Sequence, residues 1–215
     1  ADGLEITVRE NVCESVENQQ KQSLAITLYD NGRKGSATTS DFSDEALKKT
    51  VKAAKIIAAH GESDKYAGLI KKSYLCDEFK ELGLDNPWPV ETEQLIDLAK
   101  QVESVGLSKA TAKQQSDGVT ISKSRGSRAY ATTDGFNQAY CATQNSISSI
   151  MIASDTSGKM QKGYYYSSNR DPELLESADH IGAMAATRTE QKLGAKKIST
   201  QRLPIVFSSR VAPGL

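Results

Sequence analysis

Two histidines, His60 and His180, and three cysteines, Cys13, Cys76 and Cys141, are the side chains of this 215-residue chain best suited to metal or nucleophile chemistry. Zinc hydrolysis from a helix needs two imidazoles about one turn apart on one face, with a carboxylate placed to act on the bound water. Neither histidine meets that requirement. His60 is followed by Gly61 and Glu62 and His180 by Ile181 and Gly182, and more than half of the chain separates the two. A nucleophilic thiol needs a neighbouring cation or helix terminus to lower its pKa. Cys141, in a strand pattern with Tyr140 and Thr143, has no cation beside it and reads as a small packed hydrophobe. Three widely spaced cysteines without a C-x-x-C pair read as reduced thiols of a cytoplasmic protein.

Binding chemistry has three further candidates. Arg33 and Lys34 beside Gly35 have the make-up of an anion nest, but Walker spacing is absent and a solvated hairpin end is the simpler reading. Arg125-Gly126-Ser127-Arg128 is a basic turn too short for a nucleic-acid patch. The 27 basic and 27 acidic side chains cancel, so no excess charge draws the chain to a phosphate backbone, and no nucleic-acid partner is expected. The third candidate is aromatic. In a strand, Tyr164 and Tyr166 share one face and Tyr165 takes the other. One of these faces must be core. The opposite face, with Tyr130 and Tyr140 on neighbouring strands, offers a stacking or peptide-contact surface. Tyr130, Tyr140 and Tyr165 are the peptide-contact candidates.

The elements that position these residues follow from periodicity. Leu4, Ile6 and Val8 alternate with Glu5, Thr7 and Arg9, the mark of a half-buried strand. Weaker alternation over 12–18, stronger alternation over 24–29 and a polar segment over 33–39 complete an expected four-strand meander, with Asn31-Gly32 as a tight turn. A helix over 44–60 is capped by Ser43 and ended by Gly61, with Leu47, Val51, Ala54 and Ala58 as its stripe and Ile57 beside it. Asp85-Asn86-Pro87-Trp88-Pro89 is a stiff turn and a domain boundary. Thr92 is expected to cap a helix ending at Gly106. Five strand segments (118–123, 127–133, 136–144, 146–154 and 160–168) and a helix over 172–193 follow. Strands and helices in blocks, not in alternation, predict an α+β fold of antiparallel or mixed sheets with helices packed on them. It divides into a meander-plus-helix region over 1–86, a helix, meander and helix over 87–195, and one strand over 196–215. No apolar run approaches the ~18 residues of a membrane span, and no charged-then-apolar leader precedes the first strand.

Four stretches together resemble the PmbA/TldE family, the TldE side of the TldD/TldE peptidase pair, also called modulators of DNA gyrase. They are Gly32-Arg33-Lys34-Gly35-Ser36 with Ser40 and Asp41; Asp64-Lys65-Tyr66-Ala67-Gly68-Leu69; Tyr140-Cys141-Ala142-Thr143 with the serines that follow; and Lys197-Ile198-Ser199-Thr200 leading to Pro204-Ile205-Val206-Phe207. Gly32, Arg33, Lys34, Gly35, Ser36, Ser40 and Asp41 are the family-signature positions, with a structural role.

The resemblance implies a chain about twice this long, with a helix before the first strand and a further domain after residue 215. It implies a TldD-like partner subunit that carries the zinc, its histidine ligands and the catalytic glutamate, so that this chain has no catalytic or metal residue and no cofactor of its own. It also implies an extended peptide substrate, a homodimer when the partner is absent, and a cytoplasmic setting. The alternative expectation is an assembly or regulatory module acting indirectly on DNA gyrase, with no role in proteolysis.

Overall fold

The computed structural model describes residues 1–76 and 80–214; residues 77–79 of the connector and Leu215 lie outside the described residues. Among the described residues, seven strands and three α-helices follow in the order β1 (Asp2–Arg9), β2 (Val12–Gln20), β3 (Leu24–Asp30), β4 (Arg33–Thr39), α1 (Asp44–His60), α2 (Thr92–Lys109), β5 (Gln114–Ala131), β6 (Asn137–Ser154), β7 (Met160–Asn169) and α3 (Ala178–Glu190). The fold is α+β, as the blockwise order of elements predicts.

The main body is a five-stranded antiparallel sheet of order β2-β1-β5-β6-β7. Helices α2 and α3 cover one face. Ile6, Val8, Val119, Ile121, Ile147 and Met151 from that face bury against Leu95, Ala99 and Val102 of α2 and Ile181 and Ala185 of α3. The helices meet at Gly182 of α3, where a Cβ would lie 2.4 Å from the Val102 carbonyl oxygen and 2.9 Å from Gly106 N. Gly106 is therefore an interior helix residue at a close crossing and not the expected end of α2, which runs on to Lys109. Its N-cap is Glu91, not Thr92: the Glu91 side chain accepts from the Gln94 backbone N–H, and Gln94 Oε1 accepts from Glu91 N at 3.1 Å, a capping box.

The expected four-strand meander is two structures. β1 and β2 belong to the large sheet because the second edge of β1 pairs with β5, from Asp2 opposite Arg125 to Val8 opposite Val119. β3 and β4 form a separate hairpin under α1. The sheet thus takes strands from both sides of the proline-rich turn at 85–89. The five expected later strands are three. Arg125-Gly126 has the composition of a turn, yet its flanks keep register with β6, Arg125 opposite Thr143 and Ser127 opposite Cys141, so the strand runs straight through. The third helix starts later than expected. Residues 172–174 form a 3₁₀ turn, Glu176 N then donates to Ser167 Oγ on β7, and Ser177 caps α3. Residues 196–214 form no strand. Residues 196–207 are exposed, Val206 at 96 %, and turns follow over 208–214.

The other face of the sheet carries no helix and is polar, as an antiparallel sheet allows. Thr7 pairs with Thr120 (3.2 Å), Ser122 with Ser146 (2.8 Å), and Gln144 Nε2 donates to Ser168 Oγ (2.8 Å). At one end of this face Asp117 accepts from Lys162 of β7 and Arg9 of β1, tying three strands together. The Lys162 hydrogen bond, with Arg9 behind it, holds the Asp117 carboxyl below the usual carboxylate range. A lowered folded-state pKa stabilises the fold above the unfolded value and loses that contribution as pH falls through the folded one. Asp117→Asn should therefore lower the melting temperature at neutral pH. The gap to the parent should close on acidification below about pH 4, which a melting series against pH would read.

Candidate functional site

The signature residues converge on the small ββα unit. The turn Asn31-Gly32 has positive φ at both positions, 50° and 74°, as a tight hairpin turn requires. Gly35 faces α1 so closely that a Cβ there would lie 2.0 Å from the Ala54 carbonyl oxygen and 2.4 Å from Ala58 N. The buried stripe of α1 is accordingly small: Thr50, Ala54 and Ala58, with Val51 and Ile57 turned outward against expectation. Arg33 is not free to hold an anion. Its Nη1 donates to the Ala59 carbonyl (2.9 Å), neutralising the negative end of the helix. Ser36 bonds Thr27 across the hairpin (2.9 Å), and the Ser40 carbonyl accepts from Gln22 Nε2 (3.2 Å). Asp41 Oδ1 accepts from Ser43 N (2.8 Å), which lowers its pKa and fixes the approach to the Ser43 cap. Lys34 is exposed and lines a hollow of about 330 Å³ with Tyr29, Gly32, Asp64 and Tyr66.

The second motif closes on the first. Asp64 N donates to the Gly32 carbonyl (2.8 Å), and Asp64 Oδ1 accepts from Tyr66 N (2.8 Å). The third motif is a brace. Thr143 N donates to the Leu84 carbonyl (2.9 Å), its hydroxyl accepts from Asn86 N (2.9 Å), and Asn145 Nδ2 donates to the Arg170 carbonyl (2.9 Å). The two Thr143 bonds and the bidentate Arg125–Asp85 pair fasten the stiff turn to the sheet, and the Asn145 bond holds the residue that follows β7. Asn145 is 1 % exposed, a polar residue in a buried strand row that alternation alone would mark as a break.

The tyrosines separate. Tyr165 points to the helices and is 5 % exposed, so it is not a contact for a ligand on the bare face. Arg188 and Arg210 stack on its ring at 4.6 and 4.5 Å, its hydroxyl donates to Glu176 Oε1, and His180 packs edge-on. Burial, with the Glu176 hydrogen bond, raises its pKa. Tyr130 and Tyr140 share the bare face with the stacked pair Tyr164 and Tyr166. They do not form one platform. Tyr166 stands opposite Ser148, eight residues along β6 from Tyr140, about 26 Å at the usual strand rise. Tyr130 and Tyr140 lie on the end of the β5–β6 ribbon that projects past both neighbouring strands.

His60 Nδ1 is bonded to the Ile56 carbonyl on α1, and His180 lies on α3 beside Glu176. Among the described residues no group of three or more His, Cys, Asp or Glu side chains is placed to share a metal ion, and no helix is long and apolar enough to cross a membrane. Sequence reasoning did not distinguish the two edges of the sheet. On β7, Lys192 Nζ donates to the Lys162 carbonyl (2.7 Å) and Arg210 Nη1 to the Tyr166 carbonyl (2.8 Å), so side chains cap that edge. On β2, Val12 and the stretch from Val16 to Gln20 are exposed.

Residues 2–58 match the model of PmbA/TldA metallopeptidase domain 1 and residues 85–193 that of the PmbA/TldA metallopeptidase central domain. The chain is 33 % identical to the metalloprotease PmbA of Escherichia coli O157:H7 over 99 % of its own length and 47 % of that protein's, and 28 % identical to the PmbA homologue of Haemophilus influenzae over the same shares. It spans about half the length of the curated relatives it matches. Its fold is that of a modulator of DNA gyrase from Bacteroides thetaiotaomicron (TM-score 0.76, 22 % identity, 92 % of this chain and 45 % of that one) and of TldE from Thermococcus kodakarensis (TM-score 0.65, 14 % identity, 88 % and 42 %). With both domain models matched in order and a 33 % identical relative along its whole length, the chain belongs to the PmbA/TldD metallopeptidase family.

Proposed function

We propose that this chain is the amino-terminal part of the non-metal, TldE-like subunit of a cytoplasmic TldD/TldE-type peptidase, and that it presents extended peptide to a zinc site held by the partner. The observation that carries the reading is a sheet edge, β2, which among the described residues pairs only with β1, in a chain of a metallopeptidase family. Edge pairing reads main chain and tolerates many sequences, which suits a peptidase that takes unfolded substrates.

The test is peptide hydrolysis by the full-length protein with and without its TldD-like partner, before and after a chelator. We expect turnover only with the partner and its loss on chelation. Turnover by the full-length protein alone would overturn the non-catalytic role. Turnover by the partner at an unchanged rate without this protein would leave the assembly or regulatory role, including an indirect effect on gyrase.

A further inference from the structure

We infer that β2 is the edge at which this chain adds a peptide strand, and that it prefers a strand in which lysine or arginine alternates with apolar residues. The inference rests on the peptide-handling reading and names its edge and ligand class. A strand adding at β7 would have to displace Lys192 and Arg210 from the Lys162 and Tyr166 carbonyls. At β2 the main-chain hydrogen bonds go to β1, and the only side-chain approach to the β2 main chain among the described residues is Cys13 Sγ, 3.7 Å from the Ser15 carbonyl. The strand is nine residues long and, among the described residues, is approached on its outer side only at Ser15, which leaves enough of it to register a peptide of comparable length.

Charge selects the ligand. β2 contains Glu14 and Glu17 and no lysine or arginine, whereas protected edges commonly carry lysine. Glu17 stands directly opposite Glu5 of β1, and like charges in that position repel. The pair lies on the bare face, and among the described residues neither carboxylate has an ion-pair partner. Arg9, the cation on the same face of β1, is engaged by Asp117 and Glu14. A strand laid outside β2 brings its own side chains within about 5 Å of those of β2. A lysine beside Glu17 would relieve the Glu5–Glu17 repulsion as well as pair with Glu17. Its neighbours in the peptide would point to the helix face, where Val16 is exposed opposite Ile6. The ligand is thus basic on one face and apolar on the other.

The experiment uses the full-length protein and short fluorescent peptides alternating Lys with Val or Glu with Val, followed by anisotropy at low salt. The Lys/Val peptide should bind about two- to fivefold tighter than Glu/Val, the size expected of a surface charge contact. Glu17→Lys, a fully surface change, should reverse the preference, and N-methylation of alternate peptide residues should abolish binding. Binding that is indifferent to Glu17→Lys would overturn the β2 assignment while leaving partner-dependent hydrolysis intact. Failure of hydrolysis to depend on this protein, with the charge reversal still seen, would remove the peptidase reading and keep the edge.

Discussion

Gly35→Ala should detach α1 from its hairpin while leaving the five-stranded sheet folded. The added methyl group would sit 2.0 Å from the Ala54 carbonyl oxygen and 2.9 Å from Ala58 Cβ, against helix backbone that no rotamer change can move aside. Overpacking of a well-fitted site costs about 1–3 kcal/mol where side chains can give way, and here the obstacle is main chain, so the loss should reach or exceed the upper end. It would not stop at one contact. Arg33 reaches the Ala59 carbonyl, and Asp64 the Gly32 carbonyl, only while α1 lies flat on β4. Hydrogen exchange would read the result: protection lost over 24–39 and 44–60 and retained in β5, β6 and β7. Gly61→Ala is the matched control. Gly61 has φ −71° and its nearest obstacle is 3.4 Å away, so alanine should be tolerated within about 1 kcal/mol. Equal protection loss in both variants, or none in Gly35→Ala, would refute the role assigned to Gly35.

In this Gly-rich basic string four residues have local structural work: Gly32 on the turn, Gly35 on the helix contact, Arg33 on the helix end and Asp41 on the cap. The helix itself was legible, with its Ser43 cap and Gly61 end, because capping chemistry is local and its partners lie within three or four residues. The buried stripe was displaced by one residue, from Val51 to Thr50. Hydrophobicity favoured valine, but the contact with Gly35 selects small volume, and Thr50 satisfies its hydroxyl on the Ala46 carbonyl.

What was not legible is non-local. Nothing in 1–20 states that Val8 pairs with Val119, since two amphipathic strands carry no label for a partner more than a hundred residues away. The same holds for the edges: an edge is defined by which carbonyls are already taken, and Lys192 and Arg210 reach β7 from outside it. Residues 196–214, expected as one strand of a further domain, pair with no strand among the described residues, and Leu203, Ile205 and Val206 are exposed. The tyrosine faces were correct in parity, but which face is core depends on α3, and α3 buries Tyr165.

The other large effect expected is at Glu103, a charged residue of α2 that is only 2 % exposed. The turn between β1 and β2 places two non-glycine residues at positive φ, Glu10 at 51° and Asn11 at 61°. Such a turn is strained for L-residues and needs an outside hold. Glu103 supplies it: Oε1 accepts from Glu10 N (3.0 Å) and Oε2 from Asn11 N (2.6 Å). Helical periodicity would place Glu103 beside Val102 as an ordinary boundary residue, so its role appears only when the turn is seen above it. Hydrogen bonds to a charged group contribute about 1.5–3 kcal/mol each, so Glu103→Ala should cost about 3–5 kcal/mol in denaturant unfolding. Glu103→Gln, which keeps one acceptor, should cost about half of that. The decisive variant combines Glu103→Ala with Glu10→Asn and Asn11→Gly. An Asn-Gly pair adopts this turn without strain, so it should recover much of the loss, and a double-mutant cycle would show coupling above about 1 kcal/mol. Additive losses would mean that Glu103 stabilises the fold without holding the turn. The same cycle bears on peptide binding, because this turn sets where β2 leaves β1. If β2 is the peptide edge, Glu103→Ala should weaken the Lys/Val peptide in a preparation still folded by melting, and the Asn-Gly turn should restore both stability and affinity together.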